Sequence, residues 1–269
     1  RSAHSSLTPE QVELIQDLKA MGRKRQWRTA LAAFHRAKAN GMPGNDRVYS
    51  CIISVVAKSG RWSEAVMLLE KAREDGLTAN EYCFSAAISA CAKGRNWKLA
   101  LSLLRQMRTE GLKADVITYG SAISAMAKGG QWQRALGLLD RMRSEGLTPN
   151  GKCYGATVDA LAKGGECQKA VTLLGEMQTA GVKPDLWSFN AAVHACGQAG
   201  QWEMALALAK ERMPQAGVHP DEFTFNSVLH AMANAGQWEK ALSLLSEMPE
   251  KGIFPDVVSF NTAIGACGK

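Results

Sequence analysis

A 35-residue period runs through the chain, and tryptophan marks it. The marked positions are Trp27, Trp62, Trp97, Trp132, Trp202 and Trp238. Successive marks are 35 residues or twice 35 apart, except for a last step of 36, and Cys167 stands where the missing tryptophan would fall. A fixed period of this size is typical of a stack of one small structural unit. Function is therefore to be sought in positions that recur from repeat to repeat.

Alignment on the tryptophans divides the chain into repeats. After an N-terminal segment, 1–10, comes a degenerate repeat, 11–45. Six complete repeats follow: 46–80, 81–115, 116–150, 151–185, 186–221 and 222–256. Residues 257–269 form the first helix of a truncated repeat. Since the chain begins with Arg1 and stops within a repeat, we expect it to be a fragment of a longer array.

Each repeat has the pattern of two helices joined by a tight turn. In the repeat 116–150, apolar residues recur at helical spacing on both sides of Gly129 and Gly130, where glycine permits a sharp reversal. Alanine occupies one equivalent site of the second helix, where it lets two helices approach closely: Ala65, Ala100, Ala135, Ala170, Ala205 and Ala241. We therefore expect an all-α fold, a right-handed α-solenoid (superhelix) of stacked helix-turn-helix repeats.

The repeat 186–221 is one residue longer than the others. The extra residue falls between Ala205 and Met213, in the second helix. We expect a bulge or a loosened helix end there, which would absorb the residue without breaking the stack.

Charge, hydropathy and cysteine content narrow the class of protein. The 32 basic residues exceed the 25 acidic ones, for a net charge of +7, which weakly favours a polyanionic partner. Apolar stretches fall short of the roughly 18 residues of a membrane span. The seven cysteines form no C-x-x-C pair, and we expect them to be structural residues in a reducing compartment.

No arrangement of residues indicates catalysis, a metal or a cofactor. His194 and His230 share the ninth position of their repeats, but a shared zinc ion needs them within about 4–5 Å. Equivalent residues of stacked helices lie roughly 10 Å apart. Neither a Gly-rich phosphate loop nor a nucleophile–base pair is apparent, so we expect no enzyme and no cofactor. The tryptophans are expected to pack the hairpins rather than to stack on bases.

One face of the first helix carries recurring polar residues, because the fifth, ninth and thirteenth positions lie one turn apart. The fifth position holds Ser50, Ser85, Gly120, Gly155, Asn190, Asn226 and Asn261. The last position of each repeat holds Asn80, Asp115, Asn150, Asp185, Asp221 and Asp256, which are also good helix N-caps. The thirteenth position holds Lys58, Lys93, Lys128 and Lys163. Stacked like charges repel one another and a phosphate backbone would neutralise them, so we predict that these lysines contact phosphate.

These repeats resemble the P-type, 35-residue repeats of the pentatricopeptide repeat family. The resemblance rests on stretches such as Val116-Ile117-Thr118-Tyr119, the Ala-Lys-Gly-Gly-Gln-Trp run at 127–132, and the Phe-Asn pairs at 225–226 and 260–261. It covers nearly the whole chain. A tetratricopeptide array has a 34-residue period and an earlier tryptophan, and fits less well.

The resemblance implies that each repeat reads one RNA base through its fifth and last residues. The family's second position clamps the base, and here it holds Tyr82, Ile117, Trp187, Phe223 and Val258, whereas Arg47 and Lys152 depart from the pattern. By the family's pairing, Ser50 with Asn80 favours adenine and Ser85 with Asp115 favours guanine. Uracil is expected for Asn190 with Asp221 and for Asn226 with Asp256. The glycines give only a weak purine preference, so the expected single-stranded target is A-G-(A)-(G)-U-U.

The resulting hypothesis is sequence-selective binding of single-stranded RNA by a monomer. The resemblance implies a chloroplast or mitochondrial setting, in RNA processing, stabilisation or translation. Protein partners or a catalytic domain outside this sequence remain open. The alternative is a tetratricopeptide-like helical scaffold that binds a protein or peptide, which salt dependence would distinguish from RNA binding.

Overall fold

The computed structural model describes residues 7–77 and 79–267, and these are helices and turns without a β-strand among them. The chain divides into two compact units, Arg1–Gly129 and Gly130–Lys269. The first unit contains α1 (Pro9–Arg23), α2 (Trp27–Ala39), α3 (Asp46–Lys58), α4 (Trp62–Glu74), α5 (Glu81–Lys93), α6 (Trp97–Thr109) and α7 (Val116–Lys128). The second contains α8 (Trp132–Ser144), α9 (Gly151–Lys163), α10 (Cys167–Thr179), α11 (Leu186–Gln198), α12 (Trp202–Ala207), α13 (Met213–Gln215), α14 (Glu222–Asn234), α15 (Trp238–Glu247) and α16 (Val257–Cys267). None of these described helices is long and apolar enough to cross a membrane.

Within each unit the helices form hairpins that stack side by side. In the first unit α3 packs on α5 and α5 on α7, while α4 and α6 pack behind them. In the second unit α9, α11, α14 and α16 follow one another in the same way. Each hairpin thus buries its apolar face against its neighbours. The all-helical fold of stacked hairpins predicted from the period is confirmed.

An asparagine or aspartate caps the start of each first helix from α3 onwards. Its side-chain oxygen accepts a hydrogen bond from a backbone amide in the first turn; for Asp115 the donor is the Thr118 amide, at 2.8 Å. The capping residues are Asn45, Asn80, Asp115, Asn150, Asp185, Asp221 and Asp256. Such a cap pairs an amide that the helix itself cannot satisfy and contributes about 1 kcal/mol. The last residue of each repeat therefore has a structural role in addition to any contact with a ligand.

Three of the tryptophans that mark the period, Trp62, Trp97 and Trp132, pack against a glycine of the following repeat. A Cβ atom on Gly129 would lie 2.2 Å from Cδ1 of Trp97, and one on Gly164 would lie 2.3 Å from Cδ1 of Trp132. Both tryptophans are half-buried. The indole ring therefore fills the space above a glycine at the end of the next first helix, which is the packing role predicted for it.

The second helix of the repeat 186–221 contains the predicted bulge. Between α12 and α13 the chain forms a π-helical segment, Leu208–Arg212. A π-helical turn holds one more residue than the α-helical turn it replaces. The structure thus absorbs the extra residue within the helix while Leu208 and Met213 stay buried, and the prediction is confirmed.

The prediction for the cysteines is wrong in one respect. Cys167 and Cys196 form a disulfide, with their Cα atoms 4.8 Å apart. Cys167 replaces the tryptophan at the start of α10, and α10 packs directly on α11, which carries Cys196. The bond joins residues 29 positions apart, so a search for C-x-x-C spacing does not find it. Cys51, Cys83, Cys91, Cys153 and Cys267 take no part in a disulfide within the described residues.

Candidate nucleic-acid interface

In the first unit, a groove brings several predicted site residues together. Ser50 on α3, Asn80, Tyr82 on α5 and Lys58 all line it. These are a predicted base-reading pair, the predicted clamp and a predicted phosphate contact. Arg23 of the degenerate repeat, at its thirteenth position, lines the same groove. Arg23 thus extends the series of basic residues at the thirteenth position by one repeat towards the N-terminus. No role was predicted for this residue from the sequence, because the degenerate repeat has no readable base-reading pair.

The second unit has two equivalent openings. One is lined by Asn190, Asp221, Trp187, Phe223 and Lys163. The other is lined by the next set of predicted residues and by the two histidines: Phe223, Asn226, Asp256, Val258, His194 and His230. Phe223 lines both openings. The structure therefore groups the fifth, last and second positions of successive repeats on one surface of this unit.

Three of the predicted base-reading pairs are joined directly by hydrogen bonds. Asn80 Nδ2 donates to Ser50 Oγ at 3.2 Å. Asn190 Nδ2 donates to both carboxylate oxygens of Asp221, at 3.2 and 3.4 Å. In the last pair Asn226 Nδ2 donates to Oδ1 of Asp256 at 3.3 Å.

The other predicted base-reading residues are placed differently. Among the described residues no direct hydrogen bond joins Ser85 to Asp115, whose carboxylate accepts from Thr118 instead. Gly120 is buried within α7, and Asn150 is an exposed cap of α9. The carboxylate of Asp185, the partner assigned to Gly155, accepts from Ser188. Asn261 is exposed on α16.

Glycine at position 155 has a steric reason. A Cβ atom there would lie 2.8 Å from Cζ3 of Trp187 and 3.0 Å from Oγ of Ser188. The absence of a side chain therefore lets the indole of the predicted clamp lie close to the backbone of α9. The departure from the family's usual pairing at this repeat reflects the bulk of its neighbour.

All five predicted clamp residues are large apolar side chains that are more than half exposed. Their exposed fractions are 57% for Tyr82, 66% for Ile117, 51% for Trp187, 53% for Phe223 and 56% for Val258. Large apolar side chains at one recurring, exposed position indicate an interaction surface rather than a core. A flat aromatic or branched side chain at such a position can contact a base face whatever the base.

The lysines at the thirteenth position have a structural role that sequence analysis did not assign. Lys93 Nζ donates to the carbonyls of Ala57 and Lys58, at 3.3 and 3.0 Å, and Lys128 Nζ donates to that of Ala92 at 3.1 Å. Each lysine therefore caps the end of the preceding first helix, where the helix dipole is negative.

The remaining lysines of this position differ in their surroundings. Lys163 Nζ forms an ion pair with Asp159 at 2.6 Å, and Lys58 is exposed. In the repeat 222–256 the thirteenth residue is Asn234, whose Nδ2 donates to the Gly197 carbonyl at 3.0 Å. An uncharged amide can thus make the same bond as the ammonium groups of the earlier repeats.

The third residue of several repeats carries a hydroxyl that sequence reasoning missed. Thr224 Oγ1 lies 2.6 Å from Asn190 Oδ1 and 2.8 Å from Asp221 Oδ1. Ser259 Oγ has the same two contacts, at 2.6 Å with Asn226 Oδ1 and 2.8 Å with Asp256 Oδ1. A hydroxyl three residues after an aspartate cap was the available signal. Thr224 and Ser259 are buried, so the pattern of polar residues on the exposed helix face does not include them.

The ionisation of the site follows from these bonds. The backbone amide of Ser259, which donates to Asp256 Oδ1 at 2.8 Å, is the main reason that the pKa of Asp256 is about 2, so its carboxylate is charged at neutral pH and only accepts hydrogen bonds. The carboxyl of Glu222 shares a hydrogen bond with Asp256, which raises the pKa of Glu222. Burial and the neighbouring His230 lower the pKa of His194, whose ring stacks on Phe223 with the centroids 6.1 Å apart.

Comparison with known families decides what the repeats are. Residues 47–77 match the PPR repeat, residues 81–212 match a pentatricopeptide repeat-containing protein family, and residues 220–269 match the PPR repeat family. The chain belongs to the pentatricopeptide repeat family. Among curated protein sequences, no significant match is found.

Solved structures show the same fold in other pentatricopeptide repeat proteins. PPR10 from maize, in complex with an 18-nt psaJ RNA element, superposes with a TM-score of 0.56 at 20% identity; the alignment covers 99% of this chain and 43% of PPR10. The PPR domain of Arabidopsis thaliana protein-only RNase P 1, in complex with tRNA, gives 0.61 at 15% identity and covers 70% of this chain and 98% of that domain. Arabidopsis thaliana RNase P 2 also gives 0.61, at 17% identity, with 70% and 42% covered. The chain thus spans less than half the length of PPR10.

Proposed function

We propose that this pentatricopeptide repeat chain binds single-stranded RNA selectively, with about one base per repeat. The observation that carries the proposal is the recurring surface of each unit, in which an exposed apolar side chain stands beside a polar pair. In the second unit, half-exposed Trp187 and Phe223 flank the bonded pair of Asn190 and Asp221. A base stacked between such side chains presents its hydrogen-bonding edge to the polar pair. The complexes of PPR10 and of the RNase P 1 domain with RNA support this partner class.

The proposed order of bases is A-G-(A)-(G)-U-U, with the 5′ end at the N-terminal repeats. The two uracils rest on Asn190 with Asp221 and on Asn226 with Asp256, whose amide and carboxylate are held together by hydrogen bonds. The bases in parentheses belong to repeats with Gly120 or Gly155, which offer no side chain at the fifth position. Selectivity should therefore be strongest at the uracils and weakest at the two central bases.

Lysines at the thirteenth position are proposed to contact the phosphates. Lys58, Lys93, Lys128 and Lys163 are exposed in the described structure. The bond from Lys128 to the Ala92 carbonyl orients its ammonium group but does not remove its charge. A polyanion that binds along this surface would release counterions, and this makes affinity depend on salt.

We propose that the segment acts by occupying RNA, in organellar RNA processing, stabilisation or translation, and not by catalysis of its own. A monomer in a chloroplast or mitochondrion is the proposed setting, with any catalytic domain or protein partner outside this sequence. The family membership supports this setting.

Selection from a random RNA pool tests partner class and base order together. Enriched RNA should contain two adjacent uracils preceded by purines, and its binding should weaken as salt rises. A matched selection with Asp221→Asn should change the preference at the first uracil and leave the second. Failure to enrich any RNA, together with recovery of peptide ligands in a parallel display, would favour the helical scaffold that binds protein.

A further inference from the structure

In two of the four repeats that end with aspartate, the third residue of the following repeat contacts both members of the base-reading pair. This feature rests on the proposed function and deepens it. At two junctions of the second unit the same three positions meet: the fifth and last residues of one repeat and the third residue of the next. They are Asn190, Asp221 and Thr224 at the first junction, and Asn226, Asp256 and Ser259 at the second.

The chemistry of the carboxylate explains why a third residue is needed. An ionised aspartate only accepts hydrogen bonds. Asp221 can therefore accept from Nδ2 of Asn190, but it cannot donate to Oδ1 of Asn190. Thr224 Oγ1 supplies that donor at 2.6 Å. The hydroxyl has one proton, and Asp221 Oδ1 already accepts from the Thr224 amide at 2.9 Å. The hydroxyl therefore donates its proton to Asn190 Oδ1, and the amide of Asn190 is held at both its nitrogen and its oxygen.

A flipped amide would be penalised chiefly at the carboxylate. Its oxygen would face the oxygens of Asp221 at 3.2–3.4 Å, with no proton between them. Its nitrogen would face Thr224 Oγ1, which accepts from the Asp221 amide at 3.1 Å and has a second lone pair, but the hydroxyl would then donate to Asp221 Oδ1 instead of Asn190. In the observed orientation Asn190 Nδ2 donates one N–H to Asp221 and keeps a second, and Asn190 lines the same opening as Trp187 and Phe223.

The repeat that ends with Asn80 satisfies its fifth residue in another way. Asn80 Nδ2 donates directly to Ser50 Oγ at 3.2 Å, so this junction needs no further hydroxyl. The third residue there is Cys83, whose Sγ lies 3.1 Å from Ser50 Oγ. Burial raises the pKa of the Cys83 thiol, which therefore stays neutral and is a weak partner.

The sequence follows this division at all seven junctions. Aspartate is always followed three residues later by a hydroxyl, in Asp115 with Thr118, Asp185 with Ser188, Asp221 with Thr224, and Asp256 with Ser259. Asparagine is followed by a residue without one, in Asn45 with Val48, Asn80 with Cys83, and Asn150 with Cys153. At Asp115 and Asp185 the hydroxyl donates to the aspartate itself, at 2.6 Å, and where the fifth residue is asparagine it also lies within hydrogen-bond distance of that residue's Oδ1.

We infer that Thr224 and Ser259 are positioning residues that make their repeats select uracil over cytosine. At ring position 4 uracil presents an oxygen acceptor, whereas cytosine presents an amino donor. An asparagine held with its N–H toward the base donates to the uracil oxygen and repels the cytosine amino group. A flipped amide would present its oxygen and favour cytosine. Thr224 has no exposed surface, so it acts on the base through Asn190 and Asp221.

The test compares affinities for RNAs that differ by one uracil-to-cytosine change. Thr224→Val keeps the shape but removes the hydroxyl, and should lower the uracil preference at the first position by about threefold to tenfold. Thr224→Ser should restore it. Ser259→Ala should act only at the second position, so each variant has the other position as its internal measure of folded, RNA-binding protein. The matched control is Ser227→Ala, which removes a nearly buried hydroxyl bonded to the Phe223 carbonyl on the same helix.

The outcomes separate this inference from the proposed function. If wild-type protein prefers uracil and Thr224→Val leaves that preference unchanged, the inference is overturned and the proposed function stands. If Thr224→Val weakens binding equally for both RNAs, the hydroxyl stabilises the fold only, and the inference is again overturned. Wild-type protein without any uracil preference overturns both.

Discussion

Asparagine in place of two lysines should separate the electrostatic role of the thirteenth position from its structural one. Lys93 and Lys128 each cap the preceding first helix through a carbonyl. Asn234 makes the equivalent bond to Gly197 at 3.0 Å without a charge. The double variant Lys93→Asn, Lys128→Asn is therefore expected to keep the capping bonds and lose two positive charges.

The size of the effect follows from counterion release. Each phosphate contact on a single strand contributes about −0.7 to the slope of log affinity against log salt, so four lysines give about −2.8 and two give about −1.4. Between roughly 50 and 200 mM salt, wild-type affinity should then fall about 50-fold and that of the double variant about 7-fold. Fluorescence anisotropy with a labelled A-G-A-G-U-U RNA at four or five salt concentrations measures both slopes.

Alanine at the same two positions provides the structural control. Lys93→Ala, Lys128→Ala loses the bonds to the helix ends and should lower the free energy of unfolding by about 0.5–1.5 kcal/mol for each bond. The asparagine variant should unfold at the wild-type temperature, as followed by circular dichroism. If the folded asparagine variant has the same slope of log affinity against log salt as the wild type, these lysines cap helices and do not contact phosphate. Unchanged base preference in both variants is also expected, because neither position lies in a base-reading pair.

Two further changes test packing and ionisation in the second unit. Gly164→Ala places a Cβ atom 2.3 Å from Trp132 and should destabilise the unit by about 1–3 kcal/mol in urea denaturation, whereas Gly137→Ala, which meets nothing within 4 Å, should stabilise it by up to about 1 kcal/mol. Equal effects of the two alanines would refute the packing role of the tryptophan. Because burial and His230 lower the pKa of His194, its contribution to stability is present above its unfolded pKa and lost as the pH falls below it. Denaturation at about pH 7 and about pH 5 should show this loss in wild-type protein, and a smaller one in His194→Asn.

The features of this structure that follow from a residue's position within the 35-residue period could be predicted from the sequence. The 35-residue period sets where each helix begins, and the aspartates and asparagines cap those helices at the predicted positions, as Asp185 does for α11. The period also sets which residues share a face, which is why the clamp positions such as Ile117 and Phe223 are exposed together. Even the bulge at Leu208–Arg212 followed from a count of residues.

The parts that depend on contacts between repeats could not be predicted in the same way. The disulfide joins Cys167 to Cys196 across two packed helices, and neither residue type nor spacing marks the pair. The bond from Thr224 to Asn190 spans 34 residues, and the hydroxyl lies in the buried part of the helix rather than on the face that was searched. A period fixes which positions are equivalent, but hydrogen bonds between equivalent layers depend on the side chains that meet there.

Helix capping restricts the residues that can serve as the second member of a base-reading pair. Asp221 Oδ1 accepts from the Thr224 amide at 2.9 Å, and the same carboxylate accepts from Asn190. Only side chains that cap a helix well, chiefly asparagine, aspartate, serine and threonine, can make the first contact while leaving atoms for the second. A change from aspartate to asparagine at this position keeps the cap but adds a donor, so the hydroxyl of Thr224 then competes with the new amide for Asn190 Oδ1. A full change of base preference should therefore require the last residue and the third residue of the next repeat to be exchanged together.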